Sequence, residues 1–266
     1  MQIRGTVAIV TGASSGIGAA TAVELARRGA VVASVARRED KLAATATACQ
    51  RWTPRSFAVP ADVGDAGACV RLVEEVKQRA GAPVDILVNN AGISPVEDPV
   101  HHAAEDAERI MAVNFFGAVR VSGAVLPEMV ARRRGSIINV TSVSGYVPNP
   151  GEPAYGASKA ALSRWSHGLA VDLAGDGVHV GVLSPGPIDT EIWSDTGTEY
   201  SGKLYSPEMV ATAIARMIDR GQQHVTVPRR FGAVSAAYPL AGRPMRWGLR
   251  RYAKAAPPTT GPVTPS

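Results

Sequence analysis

Short apolar, β-branched runs recur along the chain at 7–11, 31–35, 56–59, 84–88, 136–141, 178–183 and 224–227, separated by longer Ala-rich stretches with helical periodicity. A run that is apolar on both sides reads as a strand covered on both faces, and strands alternating with helical segments are joined by crossovers. The pattern predicts an α/β, single-domain, doubly wound (Rossmann) parallel sheet of about seven strands, with about six helices on its two faces. No repeat of fixed period occurs, and no linker interrupts the chain before its end. With 266 residues, 45% of them apolar, the sequence can bury one large core.

Helix punctuation supports this plan. In "SPEMVATAIARMIDRG" Ser206 is placed to cap, Pro207 to open and Gly221 to stop a helix, with Glu208 in the positive first turn and an apolar stripe through Met209, Ala213 and Met217. At the first strand-to-helix junction stands "VTGASSGIG", residues 10–18. Gly12, Gly16 and Gly18 have a spacing in which one glycine turns the chain, one admits a pyrophosphate and one lets helix and strand pack closely. A helix start presents unpaired N–H groups and a positive dipole end, so Ser14, Ser15, Gly16 and Ile17 suit a phosphate. Taken alone, the spacing fits a plain tight turn as well. A P-loop is excluded, because Ile17 and Gly18 stand where a lysine and a Ser or Thr would be needed.

Charge and composition remove other classes. The net charge of +5 is uneven: 20 basic and 23 acidic residues precede Arg220, and eight basic residues with no acid lie from there onward. The main body therefore offers no basic face for nucleic acid. Cys49 and Cys69 fall on separate predicted helices without C-x-x-C spacing and read as reduced thiols, and the histidines, including the pair His101 and His102, form no metal-ligand pattern, so no metal is expected. "MQIRG" runs directly into the first strand, which leaves no room for a signal peptide, and no run approaches eighteen apolar residues; a cytoplasmic location is expected.

Chemistry is concentrated in three later stretches. "NNAG", Asn89, Asn90, Ala91 and Gly92, follows the fourth strand, where parallel sheets place ligands, and also fits a simple turn. "YGASK" sets Tyr155 and Lys159 four apart on one helix face, and Ser142 ends another strand. An ammonium beside a phenol favours the phenolate, which a group titrating near ~10 needs for acid–base work at neutral pH. An ordinary solvated pair has the same spacing.

Together, "TGASSGIG" (11–18), "DV" (62–63), "NNAG" (89–92), Asn114 in "VNFFG", "TSVSG" (141–145), "YGASK" (155–159) and "PGPIDT" (185–190) resemble the classical short-chain dehydrogenase/reductase family over about residues 6–227. The resemblance implies catalytic roles for four residues. Tyr155 would be general acid or base, Lys159 would lower its pKa and hold the nicotinamide ribose, Ser142 would bind the substrate oxygen, and Asn114 would anchor a proton-relaying water. It also implies that Asp62 and Val63 bracket the adenine, and that Pro185, Gly186, Ile188 and Thr190 meet the carboxamide and a phosphate.

At the end of the second strand, Ala36, Arg37 and Arg38 stand where NAD users of this fold place a carboxylate for the ribose 2′-hydroxyl. Guanidinium groups there favour NADP(H) over NAD(H), although both could merely open a solvated helix. The activity expected is an NADP(H)-dependent interconversion of a carbonyl and a secondary alcohol, on a lipophilic substrate lined by Ile93, Ser94, Val143, Tyr146 and Trp193. The alternatives are an NAD-preferring enzyme of the same family and a dinucleotide-binding regulatory or scaffold protein without turnover. The resemblance further implies a homodimer or homotetramer built from helices near 104–132 and 153–174.

The domain plan is thus 1–228 as the dinucleotide-binding and catalytic unit, 229–255 as a basic, aromatic extension and 256–266 as a disordered tail. The extension interleaves arginines with Phe231, Tyr238, Leu240, Met245, Trp247, Leu249 and Tyr252. Packing over the cleft or a neighbouring subunit is the reading preferred to an anionic membrane surface, because Pro239, Gly242, Pro244 and Gly248 interrupt any long amphipathic helix.

Overall fold

The computed structural model describes residues 1–95, 97, 101–149, 151–192 and 202–238. Seven strands form one sheet: β1 Val7–Thr11, β2 Val31–Ala36, β3 Phe57–Pro60, β4 Ile86–Asn89, β5 Gly135–Val140, β6 Val178–Pro185 and β7 His224–Val227. Their order is β3-β2-β1-β4-β5-β6-β7, and every neighbouring pair is parallel. The direction of winding reverses between β1 and β4, which opens a crevice at the strands' carboxyl ends.

Two core clusters explain why the strands are apolar on both sides. On β1, Ala8 and Val10 join one cluster with Leu25 of α1 (Gly16–Arg27) and Leu42 of α2 (Glu39–Gln50). Val7 and Ile9 join the other with Leu72 and Val76 of α3 (Ala66–Ala80). Cys49 and Cys69 are free and buried, one in each cluster.

A continuous helical run links β4 to β5: α4 (Ala103–Met111), a π-helical turn (Ala112–Gly117) and α5 (Ala118–Ala131). By length and composition this run could cross a membrane, but Ile110, Val121, Val125 and Met129 are buried within the protein. The further α-helices among the described residues are α6 (Pro153–Asp172), α7 (Pro207–Arg220) and α8 (Arg229–Ala237), and a 3-10 turn spans Val143–Gly145.

The stripe expected on α7 is displaced. Val210, Ile214, Met217 and Ile218 face the core, whereas Met209 is 41% exposed. Ser206 occupies the N-cap position without a side-chain cap bond, and Gly221 ends the helix in the left-handed conformation. The extension expected from residue 229 begins as α8; its residues 239–255 and the tail 256–266 lie outside the described residues.

Candidate active site

The crevice is a cleft of about 470 Å³ bordered by the three motif loops. The glycine loop is shaped by contact with the other two. A Cβ on Gly12 would lie 2.8 Å from the Ala91 Cα, and one on Gly16 would lie 2.8 Å from the Thr190 Cγ2. Gly18 faces inward: a Cβ there would stand 2.1 Å from the Gly12 carbonyl oxygen, so this position secures the helix against the loop. Ser14, Ser15, Gly16 and Ile17 line the cleft with Arg37, Arg38, Asp62 and Val63 at one end.

The two asparagines of "NNAG" part ways. Asn90 donates through Nδ2 to the Thr11 and Gly12 carbonyls (3.0 and 3.3 Å) and borders the cleft. Asn89, expected at the cofactor, is instead buried in the sheet, donating to Ser122 Oγ (2.9 Å) and Asn139 Oδ1 (2.8 Å). Strand alternation is the reason: Asn89 is the last residue of β4, and its side chain points under α5. Ala91, Gly92, Ile93 and Ser94 follow along the cleft wall.

Asn114 lies behind that wall on the π-helical turn. Its Oδ1 accepts from Ile93 N (2.8 Å), and its Nδ2 donates to Ile93 O and Ser158 Oγ (both 3.0 Å). Single π-turns inside α-helices are rare and concentrate at functional sites. Here the turn presents Asn114 to the loop that carries Ile93.

Tyr155, Lys159 and Ser142 all border the cleft. Lys159 is 4% exposed, donates to the Val140 carbonyl (3.1 Å), and has its ammonium 5.8 Å from the Tyr155 ring centre. Burial lowers its pKa to about 8. The expected lowering of the Tyr155 pKa by Lys159 is not what the chain alone produces. Burial drives the phenol upward, the Glu152 charge adds to the rise, and a hydrogen bond with Ser142 opposes it. A phenol withdrawn from water loses solvation that stabilises its anion, and that loss is the largest influence on this group.

Several contributors had no sequence signal. Glu97, buried in the β4–α4 connection, accepts from the backbone N–H groups of Ala154 (2.7 Å) and Tyr155 (2.8 Å), which caps α6 at the tyrosine itself. Fifty-seven residues separate cap and helix, so no local pattern reveals it. Glu152 and Asn149 line the cleft beside Tyr155, and burial raises the Glu152 pKa. Phe231 of α8, by contrast, is one of the aromatics of the extension expected over the cleft, and it enters the wall, where a Cβ on Gly186 would meet its ring at 2.8 Å.

Among the expected substrate residues, Ile93, Ser94 and Val143 line the cleft. Tyr146 does not: its hydroxyl pairs with Ser163 Oγ (2.5 Å) and its ring stacks on His224. Trp193 lies outside the described residues. Pro185, Gly186, Ile188 and Thr190 form the cleft side below β6, with Ile188 bridged to Tyr205.

Known proteins match this arrangement. The family model for short chain dehydrogenases matches residues 6–201. A short chain dehydrogenase of Pseudocercospora fijiensis is 38% identical over 194 residues, 72% of this chain, which spans 62% of that relative's length. A dehydrogenase/reductase SDR family protein 7-like of Anopheles gambiae is 34% identical over 268 residues, 95% of this chain and 80% of that protein. A short-chain dehydrogenase from Sphingobium yanoikuyae in complex with NADPH has a TM-score of 0.78 at 29% identity, covering 97% of this chain and 99% of that one. The parallel sheet, the cleft at its switch point and the family match lead to one conclusion: the chain belongs to the short-chain dehydrogenase family of oxidoreductases.

Proposed function

We propose that the protein is an NADP(H)-dependent oxidoreductase that interconverts a carbonyl and a secondary alcohol, with Tyr155 as the general acid or base. The observation that carries this reading is the convergence of Tyr155, Lys159 and Ser142 on a single cleft with the glycine loop. The residues present fit a dinucleotide, because the glycine loop, Arg38 and the loops after β4 and β6 border one cleft at the carboxyl ends of the strands. When bound, a nicotinamide cofactor supplies the hydride donor or acceptor.

The chain's own groups manage the oxygen and its proton. Tyr155 donates its phenolic proton to a carbonyl oxygen during reduction, or accepts the alcohol proton during oxidation. Ser142 donates to the same oxygen and fixes its position. Lys159, with a pKa near 8, holds a proton close to Tyr155 at neutral pH. Asn114 keeps the Ile93 loop in register through both its amide atoms. At the far end, Arg38 donates through Nη2 to Ser14 and Ser15 Oγ (3.0 and 2.9 Å), so a guanidinium and two hydroxyls stand together for a 2′-phosphate. The NADPH complex of the Sphingobium yanoikuyae relative supports this cofactor. Ile93, Val143 and Phe231 give the substrate end an apolar wall that suits a lipophilic carbonyl, with Glu152 and Asn149 as polar contacts.

The test is a panel of ketones and secondary alcohols assayed with NADPH, NADP, NADH and NAD by cofactor absorbance. Turnover with the phosphorylated pair at much higher kcat/KM supports the proposal. Dinucleotide binding without turnover on any panel member would instead establish a non-catalytic binding protein, and equal use of both pairs would remove the cofactor assignment.

A further inference from the structure

Glu191 directly follows the "PGPIDT" loop, and both its carboxylate oxygens are engaged. Oε2 pairs with Arg38 Nη1 at 2.7 Å and Oε1 with Lys41 Nζ at 2.5 Å. The same Arg38 donates to Ser14 and Ser15 of the glycine loop. A guanidinium from the N-cap of α2, an ammonium from α2 itself and two loop hydroxyls thus surround a carboxylate that arrives from the segment after β6. These are the donors a phosphate monoester engages best. Lys41 first, and Arg38 second, hold the Glu191 carboxyl down at about 2, so it is anionic across the physiological range.

We propose that Glu191 is a resident competitor for the anion seat at Arg38, and that it sets the chain's affinity for a phosphate on the adenosine ribose. The proposal rests on the NADP(H) reading above. Two anions cannot share one guanidinium without repulsion. A phosphate that takes Arg38 must move Glu191 away, and Lys41 then keeps the carboxylate at the rim. A ribose with a bare 2′-hydroxyl leaves the Glu191–Arg38 pair intact, so its binding does not feel the competitor. Glu191 therefore acts on affinity for the phosphorylated cofactor alone, loosening it and hastening its release.

Calorimetric titration at one low ionic strength tests this without turnover, using adenosine 2′,5′-bisphosphate and 5′-ADP as probes. Glu191 is 41% exposed, and Glu191→Gln keeps its shape while removing the charge. Glu74→Gln, at an exposed position on α3 that lines no part of the cleft, makes the same change in net charge away from Arg38. The expected result is a Kd for the bisphosphate about three- to tenfold lower in Glu191→Gln, the size of one exposed ion pair together with relieved repulsion. The Kd for 5′-ADP stays unchanged, and Glu74→Gln shifts neither. Equal tightening toward both probes, an equal effect of Glu74→Gln, or no tightening would each overturn the proposal. If the unsubstituted chain itself binds both probes alike, the cofactor reading at Arg38 fails as well, which separates the two failures.

Discussion

Lys159 carries a charge where water is nearly absent, and its effect on stability has a definite sign. Its pKa falls from 10.5 to about 8 on folding because burial disfavours the ammonium. Between those values the unfolded chain holds a proton that the folded chain has lost, so stability rises with pH across that window and the full penalty applies below it. Lys159→Met should therefore stabilise the fold at pH 7 by up to ~3 kcal/mol, less whatever the lost bond to Val140 costs. The gain should vanish above the unfolded pKa, and denaturant unfolding at the two extremes checks it. Tyr155→Phe should keep NADPH binding while turnover falls by ~10²–10⁴; near-normal turnover would defeat the mechanism. Glu152 raises the Tyr155 pKa through its charge. Glu152→Gln should thus move the phenol's limb of the pH–rate profile to lower pH, an effect that loss of packing alone would not produce.

Asn89 shows how an element's geometry redirects a motif. The two asparagines are adjacent in sequence, yet β4 ends between them and sends Asn89 into a buried chain of amides and hydroxyls. Asn89 Nδ2 donates to Asn139 Oδ1, and Asn139 Nδ2 donates to Ser166 Oγ, tying β4 to β5 and α6. Asn89→Ala should cost about 1–3 kcal/mol of stability, the usual penalty for stranding buried polar groups, with NADPH affinity unchanged. A weaker cofactor Kd in a stably folded variant would return Asn89 to the site. The strands and the glycine turn were legible in sequence because each depends on nearby residues: β-branched runs, period, and spacing at a helix start. What stayed hidden depends on distant partners. Nothing near Ala112–Gly117 announces a π-turn, whose purpose is the bond from Asn114 to Ile93. Nothing near Pro153 announces that Glu97 caps its helix. The displaced face of α7 has a similar cause, because apolar residues on two sides of that helix leave the choice of buried side to the packing against α1 first, and against β6 and β7.

At the scale of the whole molecule, two surfaces remain to be placed. The α4–α5 run exposes Phe116 (44%), with the Arg120 guanidinium 5.6 Å from its ring. We propose that this run and α6 form the contact of a homodimer or homotetramer, so light scattering at micromolar concentration should give a multiple of the chain mass, and a monomer would count against it. The second surface is the carboxyl-terminal extension. Its described part, α8, is attached to the cleft: Phe231 packs on Gly186, and the Arg230 guanidinium lies 5.2 Å from the Tyr205 ring and 5.0 Å from that of Phe231. Truncation after Pro228 removes this piece of wall. If the extension serves the site, the shortened protein should lose stability or change its preference among carbonyl substrates, because Gly186 and Tyr205 lose the groups packed against them. If the extension serves a membrane instead, the shortened protein should keep both properties, and only the full chain should sediment with anionic liposomes at low salt. Each cation near such a surface contributes about 1 kcal/mol, so seven basic residues from Arg229 onward would give binding that is easily detected and abolished by salt. A full chain that ignores the liposomes, together with a truncated one of altered substrate preference, would assign the extension to the cleft.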